Sequence, residues 1–135
     1  MSAYRFSVNV VVRDQSRRAE EIASVLDWEP HNAWSVGDDR VTPAGTKLPG
    51  TRQDTMCAFR LESDDDQLTP VLAARVEQLL LKRDFVKELL GSGGTLTLNV
   101  GLHGQFNSSL DLSPETLRAI CELGIRLSVE CFPDG

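Results

Sequence analysis

Apolar and polar residues alternate one for one in several stretches of the chain. Tyr4, Phe6, Val8, Val10 and Val12 alternate with Arg5, Ser7, Asn9 and Arg13, and only Val11 breaks the pattern. Leu96, Leu98, Val100 and Leu102 alternate with Thr97, Asn99, Gly101 and His103. Ile125, Leu127, Val129 and Cys131 alternate with Arg126, Ser128 and Glu130. A period of two marks strands with one face packed and one face wet. Met56–Glu62 forms a further strand, with Cys57, Phe59 and Leu61 inward and Arg60 and Glu62 outward. A short strand is expected around Asn32–Val36. The following stretch, with Gly37, Asp38, Asp39, Pro43, Gly45, Pro49 and Gly50, reads as a long loop between two strands.

Helical spacing appears between the strands. Ala19, Ile22, Ala23, Val25 and Leu26 form a stripe after an N-cap at Asp14 or Ser16, and Pro30 ends the helix. Thr69 and Pro70 open a long leucine-rich helix reaching about Leu90, where Gly91-Ser92-Gly93-Gly94 stops it. Its apolar residues exceed one face. Leu80 and Leu81 look surplus, so the helix is covered on two sides, shifts phase near Arg83, or meets a partner through Leu81 and Phe85. A symmetric homodimer through that flank is one expectation. The last helix has Ser113 as N-cap, Pro114 at N1, Glu115 in the first turn and Gly124 past its end, with Leu112 and Leu117 spaced as a hydrophobic staple.

The order βαββαβαβ predicts an α+β fold. We expect a two-layer α/β sandwich, ferredoxin-like βαββαβ extended by a C-terminal αβ unit, with helices on one face of a mixed or antiparallel sheet. The other face would carry Arg5, Ser7, Asn9, Arg60, Glu62, Thr97, Asn99, His103, Arg126, Ser128 and Glu130. Phe6-Ser7-Val8-Asn9-Val10 resembles Leu96-Thr97-Leu98-Asn99-Val100, a faint internal repeat.

The length, 135 residues, suits one domain over residues 1–135. With 41% hydrophobic and 25% charged residues, the chain has the composition of a globular domain. No apolar run suits a membrane span and no signal-peptide pattern opens the chain, so a cytoplasmic protein is expected. The net charge of −6 disfavours nucleic acid, since phosphates are repelled. The three cysteines, Cys57, Cys121 and Cys131, all sit at apolar positions and are expected to be buried and unpaired. The Asn107-Ser108-Ser109 sequon would matter only in a secreted protein.

Three segments resemble the DUF4279 family, a bacterial domain family of unknown function. The first is Phe6–Val12 and Ile22–Leu26 leading into Glu29-Pro30-His31-Asn32-Ala33-Trp34-Ser35-Val36-Gly37-Asp38, similar to that family's Pro…Trp-x-x-Gly-Asp stretch. The second is Phe59-Arg60-Leu61-Glu62-Ser63 before the leucine-rich helix, where Cys57-Ala58-Phe59 replaces a frequent tryptophan. The third runs from Asn107 through Leu112-Ser113-Pro114-Glu115 to Leu123-Gly124-Ile125. The resemblance implies a single DUF4279-like domain of bacterial origin and no activity.

Candidate chemistry is sparse. His31 and His103 are the only histidines, and no helix spaces histidine or glutamate as zinc ligands. Asp64-Asp65-Asp66 lacks the spaced oxygens of a calcium loop. No nucleotide-binding or nucleophile-elbow motif is present, and no cofactor or metal is expected. Trp34 reads as a plug at the core edge or a partner anchor, and Asp38 as a turn residue. The candidate binding residues are Trp34, Asp38, Asn9, Asn99 and His103. The expected function is a non-catalytic protein-interaction domain. One form of it is an immunity-type protein whose acidic surface masks a basic bacterial toxin. The alternative is a small enzyme or small-ligand-binding protein using the polar sheet face around His103. A flat face favours the first reading and a concave one the second.

Overall fold

The computed structural model describes residues 5–61, 67–103 and 110–132. The expected strand positions Tyr4 and Glu62, the aspartate run 64–66 and the sequon at Asn107 lie outside these residues. The strands are β1 (Arg5–Asp14), β2 (Asn32–Trp34), β3 (Asp39–Val41), β4 (Lys47–Thr51), β5 (Thr55–Arg60), β6 (Thr95–His103) and β7 (Arg126–Phe132). The helices are α1 (Ala19–Leu26), α2 (Leu68–Leu81), α3 (Arg83–Gly91) and α4 (Pro114–Leu123). The fold is α+β, with an open mixed five-stranded sheet in the order β2-β5-β1-β6-β7 and a separate β3–β4 hairpin.

β1 lies between β5 and β6, antiparallel to both. β7 runs parallel to β6, which requires the crossover that α4 supplies. Val8, Val10 and Val12 of β1, Cys57 and Phe59 of β5, and Leu96, Leu98 and Val100 of β6 are almost wholly buried. They join Ile22 of α1, Leu72 and Leu79 of α2, Leu89 of α3 and Ile120 of α4 in one core. The alternation read in β1 and β6 therefore gives their packed face correctly.

The long helix is two helices. α2 ends at Leu81, Lys82 leaves helical geometry (φ −110°, ψ 23°), and α3 starts at Arg83. The break shifts the helical phase, which accounts for the excess leucines: Leu80 packs against the core while Leu81 is 83% exposed. Phe85 also packs against the core, under the Arg17 guanidinium at 5.8 Å, so Leu81 and Phe85 do not form one exposed patch. The helix starts at Leu68 after Gln67 rather than at Thr69, whose hydroxyl instead donates to the Asp111 carbonyl oxygen.

Three local expectations are corrected. Neither Asp14 nor Ser16 is the N-cap of α1; that position is Arg18. The Asp14 carboxylate accepts from the backbone N–H groups of Ser16 and Arg17 in the turn just before it, and the Ser35 hydroxyl accepts from Ala19 N–H at the first turn. The Gly- and Pro-rich stretch after β2 is not a plain loop but contains the β3–β4 hairpin. Finally, β7 is only partly covered: Leu127 is half-buried, and Val129 and Cys131 are exposed. Alternation assigns their face correctly, but β7 is the sheet edge and has no outer strand among the described residues.

The start of α4 follows its sequence signature. Ser113 Oγ accepts from Thr116 N–H, Pro114 is the first helical residue, and Gly124 takes φ +73° at the end. The staple is not closed in the expected way, since Leu112 packs on the core while Leu117 is 46% exposed.

Candidate functional site

The sheet face away from the core holds a groove of about 350 Å³. Strand register explains it. Asn9 stands opposite Arg60 on β5 and Asn99 on β6, and Asn99 stands opposite Ser128 on β7. This makes one polar row, Arg60–Asn9–Asn99–Ser128, across four strands. A neighbouring row pairs Ser7 with Gly101 and Gly101 with Glu130. Ser, Asn, Ala and Gly are small, so the middle of the face is recessed. Ser7, Asn9, Val11, Ala58, Asn99, Gly101 and Ser128 form the recess, and His31, Glu130 and Phe132 also line it. Val11, the one break in the alternation of β1, is thereby an apolar spot on this face.

The Asn9 side-chain oxygen is buried here and has no hydrogen-bond partner among the described residues. A buried acceptor left unmade costs on the order of 1–3 kcal/mol. It is the groove's clearest unused bonding capacity.

His103 forms one corner. Its ring stacks on Phe132, with centroids 4.8 Å apart and planes 13° apart, as their cross-strand pairing allows. The Ser7 hydroxyl lies 3.4 Å from His103 Nε2. Gly101 makes this corner possible. A Cβ there would lie 2.4 Å from Ser7 Oγ, 3.0 Å from His103 Nε2 and 3.2 Å from Phe132 Cε2.

Of the five residues singled out from the sequence, Asn9, Asn99 and His103 fall on this face. Asn9 and Asn99 line the groove directly, whereas His103 shapes its corner through Ser7 and Phe132. Trp34, opposite Met56 at the β2 end of the same face, and Asp38 lie away from the groove, in the joint that carries the hairpin. Asp38 Oδ2 accepts from Ser35 N–H at 2.9 Å, Asp38 N–H donates to the Ser35 carbonyl, and Arg52 N–H donates to the Asp38 carbonyl. Arg52 stacks on the Trp34 ring at 3.8 Å. Trp34 is half-buried and pairs with buried Met56. This end of the open face is thus built to hold the hairpin down.

Sequence reasoning missed His31 and Phe132. The His31 N–H donates to the Ala58 carbonyl, bringing a loop residue to the groove. Only the strand order, unknown from sequence, puts His31 and Phe132 on opposite sides of one recess.

The cysteine expectation is corrected in two of three cases. Cys57 is buried, and burial, with a smaller contribution from the Glu20 charge, pushes its thiol up to about 11. Cys121 and Cys131 are exposed. Cys121 lies off the buried stripe of α4, and Cys131 lies on the edge strand. Among the described residues no group of three His, Cys, Asp or Glu side chains is placed to hold a metal ion, and no helix is long and apolar enough to cross a membrane.

No family model, curated protein or solved structure matches the chain.

Proposed function

We propose that the chain is a non-catalytic binding domain whose open sheet face holds a small neutral ligand rich in hydrogen-bonding groups. The unpartnered, buried Asn9 oxygen carries this reading, because a ligand donor would remove its desolvation cost. The recess is concave, and its volume falls in the range of small-molecule sites, roughly 300–1,000 Å³. Its polar groups are mostly neutral: the amides of Asn9 and Asn99 and the hydroxyls of Ser7 and Ser128. Val11, Ala58 and the Phe132 ring offer apolar surface for one side of a ring-shaped molecule. A neutral cyclic compound bearing hydroxyl or amide groups fits this mixture best.

The non-catalytic part rests on His103. Its contacts are a long approach to Ser7 and a stack on Phe132, and no carboxylate among the described residues is bonded to it. A serine nucleophile needs a base held by a third group. An immunity-type role, with an acidic surface masking a basic toxin, draws support from the net charge of −6, whereas the concave face favours the small ligand.

The antiparallel order β2-β5-β1-β6 supports a ferredoxin-like reading. In that reading β3–β4 is an insertion, and α4 with β7 is the appended αβ unit. We further propose membership of the bacterial DUF4279 family, on its sequence motifs, and a cytoplasmic location, on the three free cysteines.

The test is a ligand-observed NMR screen with a collection of neutral, cationic and anionic small molecules, run on wild type and Asn99→Leu. The reading expects neutral hydroxyl- or amide-bearing hits that are lost in the variant. Hits confined to charged molecules, or neutral hits that persist in a folded Asn99→Leu, overturn it.

A further inference from the structure

The two edges of the sheet are built differently. β2 offers three residues, whereas β7 offers seven and, among the described residues, pairs with β6 alone. An open edge presents unpaired N–H and C=O groups, and proteins commonly blunt it with charged side chains, lysine above all, with proline or with a bulge. β7, Arg-Leu-Ser-Val-Glu-Cys-Phe, contains neither lysine nor proline, and its register against β6 is unbroken.

Exposed apolar surface gathers at the same place. Among the described residues, Val129 on β7 is 44% exposed and Leu117 on α4 is 46% exposed, while Phe132, at 42%, lies on the opposite face of the same strand. By alternation, Leu127, Val129 and Cys131 point to the helix side of the sheet. Ala119, Ile120 and Leu123 are the buried stripe of α4. One flank of that stripe, at Glu122, shares a depression with Leu80, Arg83 and Lys87 of α2 and α3. Leu117 lies on the other flank at about 100° per residue, with Cys121 one turn further. That flank faces away from α2 and α3, toward the β7 edge. By this placement Leu117 and Cys121 stand on the same side of the sheet as Val129 and Cys131, beside a strand edge that no described residue pairs.

We propose that this edge is the interface of a symmetric dimer. β7 pairs antiparallel with β7 of a second copy about a two-fold axis at Ser128, joining the two five-stranded sheets into one. Charge selects both the occupant and the register. With the axis at Ser128, Arg126 stands opposite the partner's Glu130, and Glu130 opposite the partner's Arg126. Leu127 meets the partner's Val129 on the helix side. Moving the axis by two residues sets Arg126 against itself or Glu130 against itself, and like charges directly opposite are destabilising. Moving it by one leaves both charges unmatched. The segment carries one Arg and one Glu, so two copies of a chain with net charge −6 meet here through a locally neutral strand. The same axis brings the two α4 flanks toward each other over Leu117 and Cys121. This proposal rests on the edge and not on the ligand reading of the groove.

Sedimentation velocity on the full chain over a concentration series is the test. Wild type is expected to dimerise. Arg126→Glu and Glu130→Arg, both at exposed positions, should each weaken dimerisation about tenfold or more, and the double exchange Arg126→Glu/Glu130→Arg should restore it. In a Cys121→Ser/Cys131→Ser background, Ser128→Cys should give a disulfide-linked dimer on mild oxidation, since facing residues of an antiparallel pair lie within disulfide reach. A wild type that stays monomeric at the highest attainable concentration overturns the proposal. So do single reversals without effect, a double exchange without rescue, or a Ser128→Cys variant that does not cross-link.

Discussion

Ser7 and Gly101 face each other across β1 and β6 so closely that a methyl group on residue 101 would lie 2.4 Å from the serine hydroxyl oxygen. The obstructing atoms are side-chain tips, which can move. Gly101→Ala should therefore fold, with a stability change within about 1.5 kcal/mol, the scale of a displaced rotamer. Ser7 and His103 must swing away, and ligand binding in the groove should weaken. Thermal melting together with binding of a screened ligand measures both effects. Unchanged affinity would show that this corner takes no part in the site.

Gly94 presents the opposite case. A Cβ there would lie 2.8 Å from the Leu89 carbonyl oxygen and 2.9 Å from both Asp14 Oδ1 and Leu89 Cγ. The first neighbour is backbone at the end of α3 and cannot step aside cheaply. Gly94→Ala should cost about 1–3 kcal/mol by overpacking, read as a lower urea midpoint with an unchanged slope.

Asp14 should make stability fall in acid. Its burial alone would raise the carboxyl pKa. The N–H groups of Arg17 and Ser16, with the Arg17 charge, outweigh this and hold it below its ordinary value of 3.8. A depressed folded pKa means stabilisation fully present above the unfolded value and lost as the pH falls through the folded one. Asp14→Asn should be about 1.5–3 kcal/mol less stable than wild type at pH 7, the range for hydrogen bonds to a charged group. The gap should narrow as the pH drops below 3.8. Urea titrations of both proteins from neutral pH into that range check the sign.

The thiols should divide into two classes. In dilute native protein Cys121 and Cys131 should react readily with a thiol reagent. Cys57, buried with its pKa pushed up to about 11, should react only on unfolding. Mass spectrometry of the labelled native protein reads this directly, and modification of Cys57 before the others would contradict it.

Much of this architecture is legible in the sequence because a strand's period of two reports which way each side chain points. That period puts Val8, Val10, Leu98 and Val100 on the packed face and Asn9 and Asn99 on the opposite one, as the structure has them. Ser113, Pro114 and Gly124 mark α4 because caps are local chemistry. Period says nothing of what covers a face, however. Val129 and Cys131 point the expected way and are still exposed, because β7 is an edge. The break at Lys82 was visible only as surplus leucines. Trp34 and Asp38 stood out by type and context, yet their partners, Arg52 and Ser35, hold the hairpin joint. The groove itself needed strand order, which brings His31, Phe132 and the polar row of four strands to one place.

The central claim is that the recess around Asn9 and Asn99 is the binding site. The most direct measurement is a backbone amide shift map of the isotope-labelled protein titrated with a hit from the screen. The claim predicts saturable shifts centred on Ser7, Asn9, Asn99, Gly101 and Ser128. Shifts centred instead on the Trp34–Arg52 joint, or on the outer flank of α4, would contradict it.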